Sequence, residues 1–422
     1  MVRPLMETLT TPPLNVFRHK AFAFFWSARV LSTLAVQAES ITLGWQVYTL
    51  ARKTHSVAQG AFLVGMVGLA QFLPLFCLTL LAGATADRHD RRTIMLSCIA
   101  VEIVCVLALA GLAFQPHQVL WPIFAIAAVF GASRAFLSPA SGAMGPMLVP
   151  RESLPTAIAW NSLGYQAGNM IGPWVGGALC AISPAVAYLG SAGLYVAAGA
   201  TLLLMRANTK PVSQVASRME LIREGIIYVW TNKIVLGAIS LDLFAVLLGG
   251  ATALLPVFAR DILHIGAHGF GVLRSGPAIG AAVMAFSLSR FPIRRHAGIW
   301  MFCGVAVFGL STIVFALSRW EIVTVVALAV LGGADMISVY VRQSLIQIVT
   351  PDPMRGRVSA VSYLFIGASN ELGEFETGMV ARVLGPINAA LFGGIGSLVV
   401  TGAWSRMFPS LRKADRLTRP EG

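Results

Sequence analysis

From Phe62 to Ala82 the chain carries no charge, and from Thr93 to Phe114 it carries one, Glu102. Each run is long enough for a helix to cross a bilayer, which takes about 20 mainly apolar residues. In lipid every backbone polar group has to be satisfied within the spanning structure, so only helices and closed barrels are available. Barrel strands would be about 10 residues of alternating polarity, and no segment alternates in that way. Comparable apolar runs lie at 21–48, 60–84, 93–114, 119–144, 156–181, 185–205, 234–258, 269–289, 298–318, 321–347, 357–381 and 385–404. They predict an all-α membrane protein with about twelve transmembrane helices. With 56% hydrophobic and 12% charged residues, too little polar surface is left for a soluble protein of this size.

The stretch between the second and third runs, Gly83 to Arg92, packs Asp87, Arg88, His89, Asp90, Arg91 and Arg92 into consecutive positions. It has to face water, and a tight basic hairpin is expected there. Of the 31 Lys and Arg, about 22 fall on the side that holds both chain ends and about five on the other. That asymmetry places both termini in the cytoplasm. The net charge of +13 is spread over short loops and forms no single patch, which argues for a membrane protein and against a nucleic-acid partner. The polar N-terminus, Met1 to Lys20, and the length of the first apolar run predict no cleavable signal peptide.

The longest polar interval, Ala207 to Lys233, divides the spans six and six. An N-terminal half (1–206), a linker (207–233) and a C-terminal half (234–422) follow. Within the linker, Arg218 to Trp230 puts Leu221, Ile222, Ile226, Val229 and Trp230 on one side and Arg218, Glu220, Arg223 and Glu224 mostly opposite. The pattern predicts an amphipathic helix along the cytoplasmic interface. The halves echo each other: at a shift of 201, Asn169, Gly172 and Gly177 of the fifth span fall on Asn370, Gly373 and Gly378 of the eleventh. Internal repeats of this kind are how many transporters are built.

Ionisable groups inside a span are costly and are functional candidates by default. The acids are Glu39, Glu102, Asp242, Asp335, Glu371, Glu374 and Glu376, and the bases Arg29, Arg134, Arg274 and Arg342. Glu371 and Glu374 stand three apart, on one helical face. Two carboxylates so placed in low dielectric cannot both ionise easily, the condition for binding and releasing a proton. Counted from the start of its run, this pair is expected nearer the outer mouth than the midplane. Asp242, Asp335 and Glu39 are further candidates for substrate or proton contact, with an ion pair across the bundle as the structural alternative. Arg134 could attract an anion, or pair with Glu39. Glu102, in a third span, is expected to be a partnered structural acid. Cys77, Cys98, Cys105, Cys180 and Cys303 lie inside apolar runs without a Cys-x-x-Cys pair, so no metal site is expected. There is no Ser/His/Asp set and no Gly-x-x-x-x-Gly-Lys-Ser/Thr run, which argues against an enzyme, a cofactor and ATP hydrolysis.

Gly83-x3-Asp87-Arg88-x2-Arg91-Arg92 resembles the loop signature of the major facilitator superfamily, although that signature usually has Gly at the position of Asp90 and a large apolar residue at that of Thr85. Gly168, Gly172, Pro173, Gly176 and Gly177 in the fifth span resemble its antiporter motif, and Arg134 stands where its fourth span carries an arginine. The second-half loop copy is reduced to Arg290, Arg294 and Arg295, without an acid. Val149 to Leu154 and Arg355 to Val358 look like the bacterial exporter branch that includes the enterobactin exporter and macrolide-efflux proteins. The resemblance implies two pseudo-symmetric six-helix halves working by alternating access around a cavity lined mainly by spans 1, 4, 7 and 10. It implies an inner-membrane, monomeric, proton-coupled exporter of amphiphilic small molecules such as drugs or siderophores, with an uptake permease or a lipid-handling flippase as alternatives. Asp87 would face the start of the eleventh span and act, with Gly83, Arg88, Arg91 and Arg92, as a cytoplasmic gate.

Overall fold

A computed structural model describes residues 16–116, 118–207, 209, 218–293, 295–351 and 354–414. The expected basic positions Arg3, Lys210, Arg294, Arg416 and Arg419 lie outside the described residues. Among these residues there is no strand, and eleven long helices and one broken helix account for the apolar runs. They are Lys20–Ala51, Val57–Arg88, Arg91–Phe114, Leu120–Met144, Leu154–Ile182, Pro184–Leu204, a broken seventh span from Lys233 to Ile262, Gly266–Arg290, Ala297–Leu317, Glu321–Val349, Arg355–Leu384 and Pro386–Met407. Ten of them are individually long and apolar enough to cross a membrane. The fifth and eleventh are as long but more polar, because they carry Asn161, Gln166 and Asn169 in one and Glu371, Glu374 and Glu376 in the other. Both are inner helices of the bundle: the fifth packs on the first and eighth, the eleventh on the second and seventh. Polar groups on them face protein more than lipid, which is how a spanning helix tolerates them.

Because the helices alternate in direction, the start of the first span and the end of the twelfth share one face, here the near face. The turns after Ala51, Phe114, Ile182, Ile262, Leu317 and Leu384 lie on the far face. The last of these turns at Gly385, whose φ of +83° is open to glycine and strained for other residues. The first six spans pack among themselves and the last six likewise. The second–eleventh and fifth–eighth pairs are the extensive contacts between the two sets.

Three expectations change. The hairpin after the second span is shorter than the stretch from Gly83 suggests. The second helix runs on through Arg88, and the turn is only His89 and Asp90 before the third helix starts at Arg91. The seventh span is not one helix. It stops at Leu248, passes Gly249 and Gly250, and resumes as a 3-10 turn (Ala251–Leu254), a short α segment (Leu255–Val257) and a π turn (Phe258–Ile262). Two glycines weaken a helix, and here they are needed: a Cβ on Gly250 would collide with the Gly373 carbonyl oxygen, and one on Gly249 would sit 2.5 Å from the Phe308 ring. The linker helix forms, as Arg218–Thr231, but Trp230 is exposed. The side that packs is Ile226 and Val229, against Val358 and Val361 of the eleventh span. Glu224 pairs with Arg357, and the Tyr228 hydroxyl donates to the Val349 carbonyl at 3.0 Å. The side chains of Arg218, Glu220, Leu221 and Ile222 lie outside the described set.

Candidate functional site

A cavity of about 160 Å³ lies in the middle of the bundle. Its polar wall is made by Gln37 and Ser40 of the first span, Gln71 of the second, Arg134 of the fourth, Thr252 of the seventh, Arg274 of the eighth, and Glu371 and Glu374 of the eleventh. The lining therefore differs from the expected spans 1, 4, 7 and 10: the second, eighth and eleventh contribute, and no residue of the tenth lines it. Helical spacing puts Glu371 and Glu374 on the inward face together. They lie near the middle of Arg355–Leu384, not at an outer mouth. Small residues on the second span make room for them. A Cβ on Gly65 would come within 2.9 Å of the Glu374 carbonyl oxygen, and one on Gly68 within 3.3 Å of the Glu374 Cβ. Glu374 Oε1 is held by Arg274 Nη1 at 3.4 Å and accepts from the Thr252 hydroxyl at 3.0 Å. Glu371 lies within electrostatic reach of Glu374, Arg134 and Arg274. Glu376 points elsewhere, as its position in the turn requires.

Arg134 is the hinge between this cavity and a buried cluster behind it. Its Nη1 donates to Gln71 Oε1 at 2.8 Å, and its Nη2 lies 3.7 Å from Glu39 Oε2. Glu39 is wholly buried and accepts from the Tyr195 hydroxyl at 3.4 Å. Glu102, also wholly buried, accepts from the Ser133 hydroxyl at 3.2 Å.

Asp242 and Asp335 are elsewhere among the last six spans, Asp242 in the first third of the seventh span and Asp335 at the middle of the tenth. Asp242 is bonded directly to Arg342 of the tenth span, both buried, and Ser338 Oγ is 3.5 Å from its other oxygen. Asp335 lies within electrostatic reach of both. The counter-charge that Asp242 lacks in its own helix is thus supplied across the bundle, and neither acid lines the central cavity.

The charged turn after the second span works as a set of staples. Arg91 Nη1 donates to the Ala143 carbonyl at 3.1 Å, at the end of the fourth helix. Arg92 donates from Nε to the Leu202 carbonyl at 2.9 Å and from Nη2 to the Leu203 carbonyl at 2.6 Å, at the end of the sixth. Cations there satisfy the last carbonyls and oppose the negative end of the helix dipole. Burial alone would raise the Asp90 carboxyl, but hydroxyl bonds from Thr209 and Thr93 hold it below the usual carboxylate range. Asp87 and Arg88 are exposed in the helix's last turn.

The glycines of the fifth span let it close on its neighbours. Gly168, Gly172 and Gly176 repeat every four residues, and a Cβ on each would meet Thr33, Gln37 and Ala38 of the first span at 2.6 Å. Gly177 faces the eighth span instead, 2.7 Å from the Gly271 Cα by the same measure, and Pro173 leaves the helix unbroken. Gln37 donates to Asn169 across the same seam at 2.7 Å.

On the far face, the Tyr48 hydroxyl bonds Asp261, and Arg52 Nε is 3.3 Å from the same carboxylate. Trp45 stacks on Phe270 at 6.0 Å. The first span is thereby latched to the seventh and the eighth. Sequence reading passed over Tyr48, Asp261, Gln71, Thr252, Tyr195 and Ser133. Most are neutral, and Asp261 and the end of the first span read as loop. Arg274 and Arg342 stood among the in-span bases without being singled out, and their partners are visible only once the spans are packed.

The profile of the transmembrane secretion effector family matches residues 11–419. The enterobactin exporter EntS of Shigella boydii serotype 18 is 25% identical over 385 residues, covering 90% of each chain, and those of Escherichia coli O1:K1 / APEC and Citrobacter koseri match to the same extent. Among solved structures, a mutant form of the nucleoside transporter NupG superposes with a TM-score of 0.73 at 15% identity, over 92% of this chain and 100% of that one. A POT family transporter in complex with 5-aminolevulinic acid gives 0.71 at 13% identity, over 92% and 96%. A bacterial homolog of the lysosomal transporter Spinster, in an inward-facing conformation, gives 0.66 at 13%, over 93% and 96%. The helix order, the loop signature and these matches agree: the chain is a multi-pass membrane transporter that belongs to the transmembrane secretion effector family, within the major facilitator fold.

Proposed function

We propose that this transporter is a proton-coupled exporter of amphiphilic small molecules, drugs or siderophores among them, and that it works by alternating access. The halves 1–206 and 234–422 move as units about the central cavity, with 207–233 tying them together on the near face. The observation that carries this reading is the cavity itself. Both halves furnish it with charges, Arg134 from one and Arg274, Glu371 and Glu374 from the other. Each half keeps its own ion pair, Arg134 with Glu39 and Arg274 with Glu374, while Arg134 and Glu371 act on each other across the cavity and part when the halves do. Glu374 is assigned to proton coupling, and Glu371 and Arg134 to substrate contact. The near face is assigned to the cytoplasm of a bacterial cell and the membrane to the inner one, on the strength of the lysine and arginine distribution. The latch of Tyr48 and Arg52 on Asp261 then closes the outer side. The exporter relatives support outward transport. Asp87 is assigned to the cytoplasmic gate, against the eleventh span.

The test is efflux in proteoliposomes. An imposed proton gradient is expected to drive a fluorescent amphiphile or a siderophore across the membrane. Glu374→Gln is expected to keep gradient-independent exchange and lose gradient-driven accumulation. Asp87→Asn is expected to slow transport while ligand binding survives. Transport that ignores the gradient in the unmodified protein would reject proton coupling.

A further inference from the structure

The transport scheme leaves Glu102 idle, although it is one of the most deeply placed acids in the chain. It is wholly buried. The Ser133 hydroxyl donates to Oε1 at 3.2 Å, and Oε2 has no hydrogen-bond partner. Glu39, equally buried, is in the same position: Oε2 meets Tyr195 and Arg134, and Oε1 has no partner. The two acids are within electrostatic reach of each other. The titratable groups that face them are Cys98 and Cys105 of the third span, Arg134 of the fourth, and Tyr188 and Tyr195 of the sixth. Among the described residues, Arg134 is the one cation acting on either acid. Two ionised carboxylates against one guanidinium would leave an uncompensated negative charge in the core, where an unpaired charge is strongly disfavoured. One proton on the pair removes it, and each acid has an open oxygen to take it.

We propose that Glu39 and Glu102 share one proton while Arg134 is beside them and exchange a second one, and that Arg134 controls the exchange by dividing its charge between this pair and Glu371 across the cavity. Arg134 is the member of the cluster that lines the cavity, and Glu371 acts on it from the opposite wall. Drawn toward Glu371, Arg134 leaves the pair with its remaining negative charge uncompensated, and the pair takes up a second proton. When a cationic or hydrogen-bond-donating group of a substrate occupies Glu371, Arg134 returns to the pair and that second proton leaves. Substrate and proton then exclude each other, which is the linkage an exchanger needs. The inference rests on the exporter reading for its purpose but not for its chemistry.

Infrared spectroscopy of the full chain in lipid nanodiscs tests it through the carbonyl stretch of protonated carboxyls. Glu39→Gln and Glu102→Gln are each expected to remove the same one protonated carboxyl per chain, because either change leaves one acid balanced by Arg134. Arg134→Gln is expected to raise the count from this pair from one to two. If one glutamine variant removes the band and the other leaves it, the proton is not shared. If neither moves it, or Arg134→Gln adds nothing, the site is refuted. Glu102→Asp, which keeps the carboxyl, serves if Glu102→Gln does not fold, and is expected to shift the band in frequency without deleting it; an unshifted band would count against Glu102. A shared band without gradient-driven efflux overturns the exporter reading and leaves the proton site standing. Efflux without the band does the reverse.

Discussion

Arg134 and Arg342 occupy the fourth and the tenth span, and each stands between two acids, Glu39 and Glu102 in one case, Asp242 and Asp335 in the other. The settings differ. The Arg342 side chain is 2% exposed and directly bonded to Asp242, itself 4% exposed. The Arg134 side chain is 21% exposed, 3.7 Å from Glu39, and shares its hydrogen bonds with a neutral amide, Gln71. A buried pair that is closely bonded is hard to separate, because parting it leaves a charge without solvent or partner. An arginine at a cavity wall, with a loose carboxylate on one side and another acid opposite, can change partners at little cost. The same residue types thus serve as a fastening in one half and a movable charge in the other.

The largest effect is expected from breaking the fastening. Asp242→Asn leaves Arg342 buried without its carboxylate, and loss of one partner of a buried pair costs about 3–5 kcal/mol. The expected outcome is a clear fall in melting temperature and in the yield of monodisperse protein. Asp242→Asn combined with Arg342→Gln removes both charges and is expected to recover much of the stability. Efflux by the double variant then decides the role of Asp242. Recovery along with stability makes it structural. Stable protein that no longer responds to the gradient makes it part of the coupling.

Arg134→Gln is expected to act in the opposite sense. Gradient-driven efflux should fall at least about tenfold, or ~1.4 kcal/mol in the barrier, while melting temperature drops less than in Asp242→Asn. A double-mutant cycle sharpens the contrast. The Arg342–Asp242 coupling is expected at about 2–3 kcal/mol and the Arg134–Glu39 coupling at about 1 kcal/mol or less, within the range for residues in contact. Equal couplings would erase the distinction between a fixed and a movable arginine.

Much of this was legible before the structure. Apolar runs longer than a bilayer located all twelve spans, and the charges inside them named both arginines and all four acids. What could not be read was which acid meets which arginine, because that depends on the packing of helices far apart in sequence. Asp242 and Arg342 are 100 residues apart and Glu39 and Arg134 lie on different spans. Glu102 was expected to be a partnered structural acid, but its partners could not be named from the sequence. The fourth span's Ser133 and Arg134 bring it into the core cluster. The cavity lining was misjudged for a related reason: the glycines at 65 and 68 that let the eleventh span press its acids inward are, in sequence, simply two more small residues in an apolar run. The break at Gly249 and Gly250 was hidden in the same way, since nothing in a hydrophobic stretch reveals that a neighbouring backbone will sit where a side chain would be.

The smallest change asks whether the first arginine can be made to behave like the second. Gln71 is held against the fourth span by Gly131, where a Cβ would collide with the Gln71 carbonyl oxygen, so its side chain is fixed within reach of Arg134. Gln71→Glu keeps the size and gives Arg134 a direct carboxylate partner, as Arg342 has. Because the site borders a cavity, the added attraction is expected to be modest, about 0.5–1 kcal/mol. Stability should hold or rise slightly, and efflux should slow roughly two- to fivefold because Arg134 is now restrained on its own side of the cavity. Efflux at the unmodified rate, with a measurable gain in melting temperature, would mean that Arg134 is restrained without consequence. The movable charge would then have to be sought at Arg274, whose 3.4 Å contact with Glu374 is the other loose pair on the cavity wall.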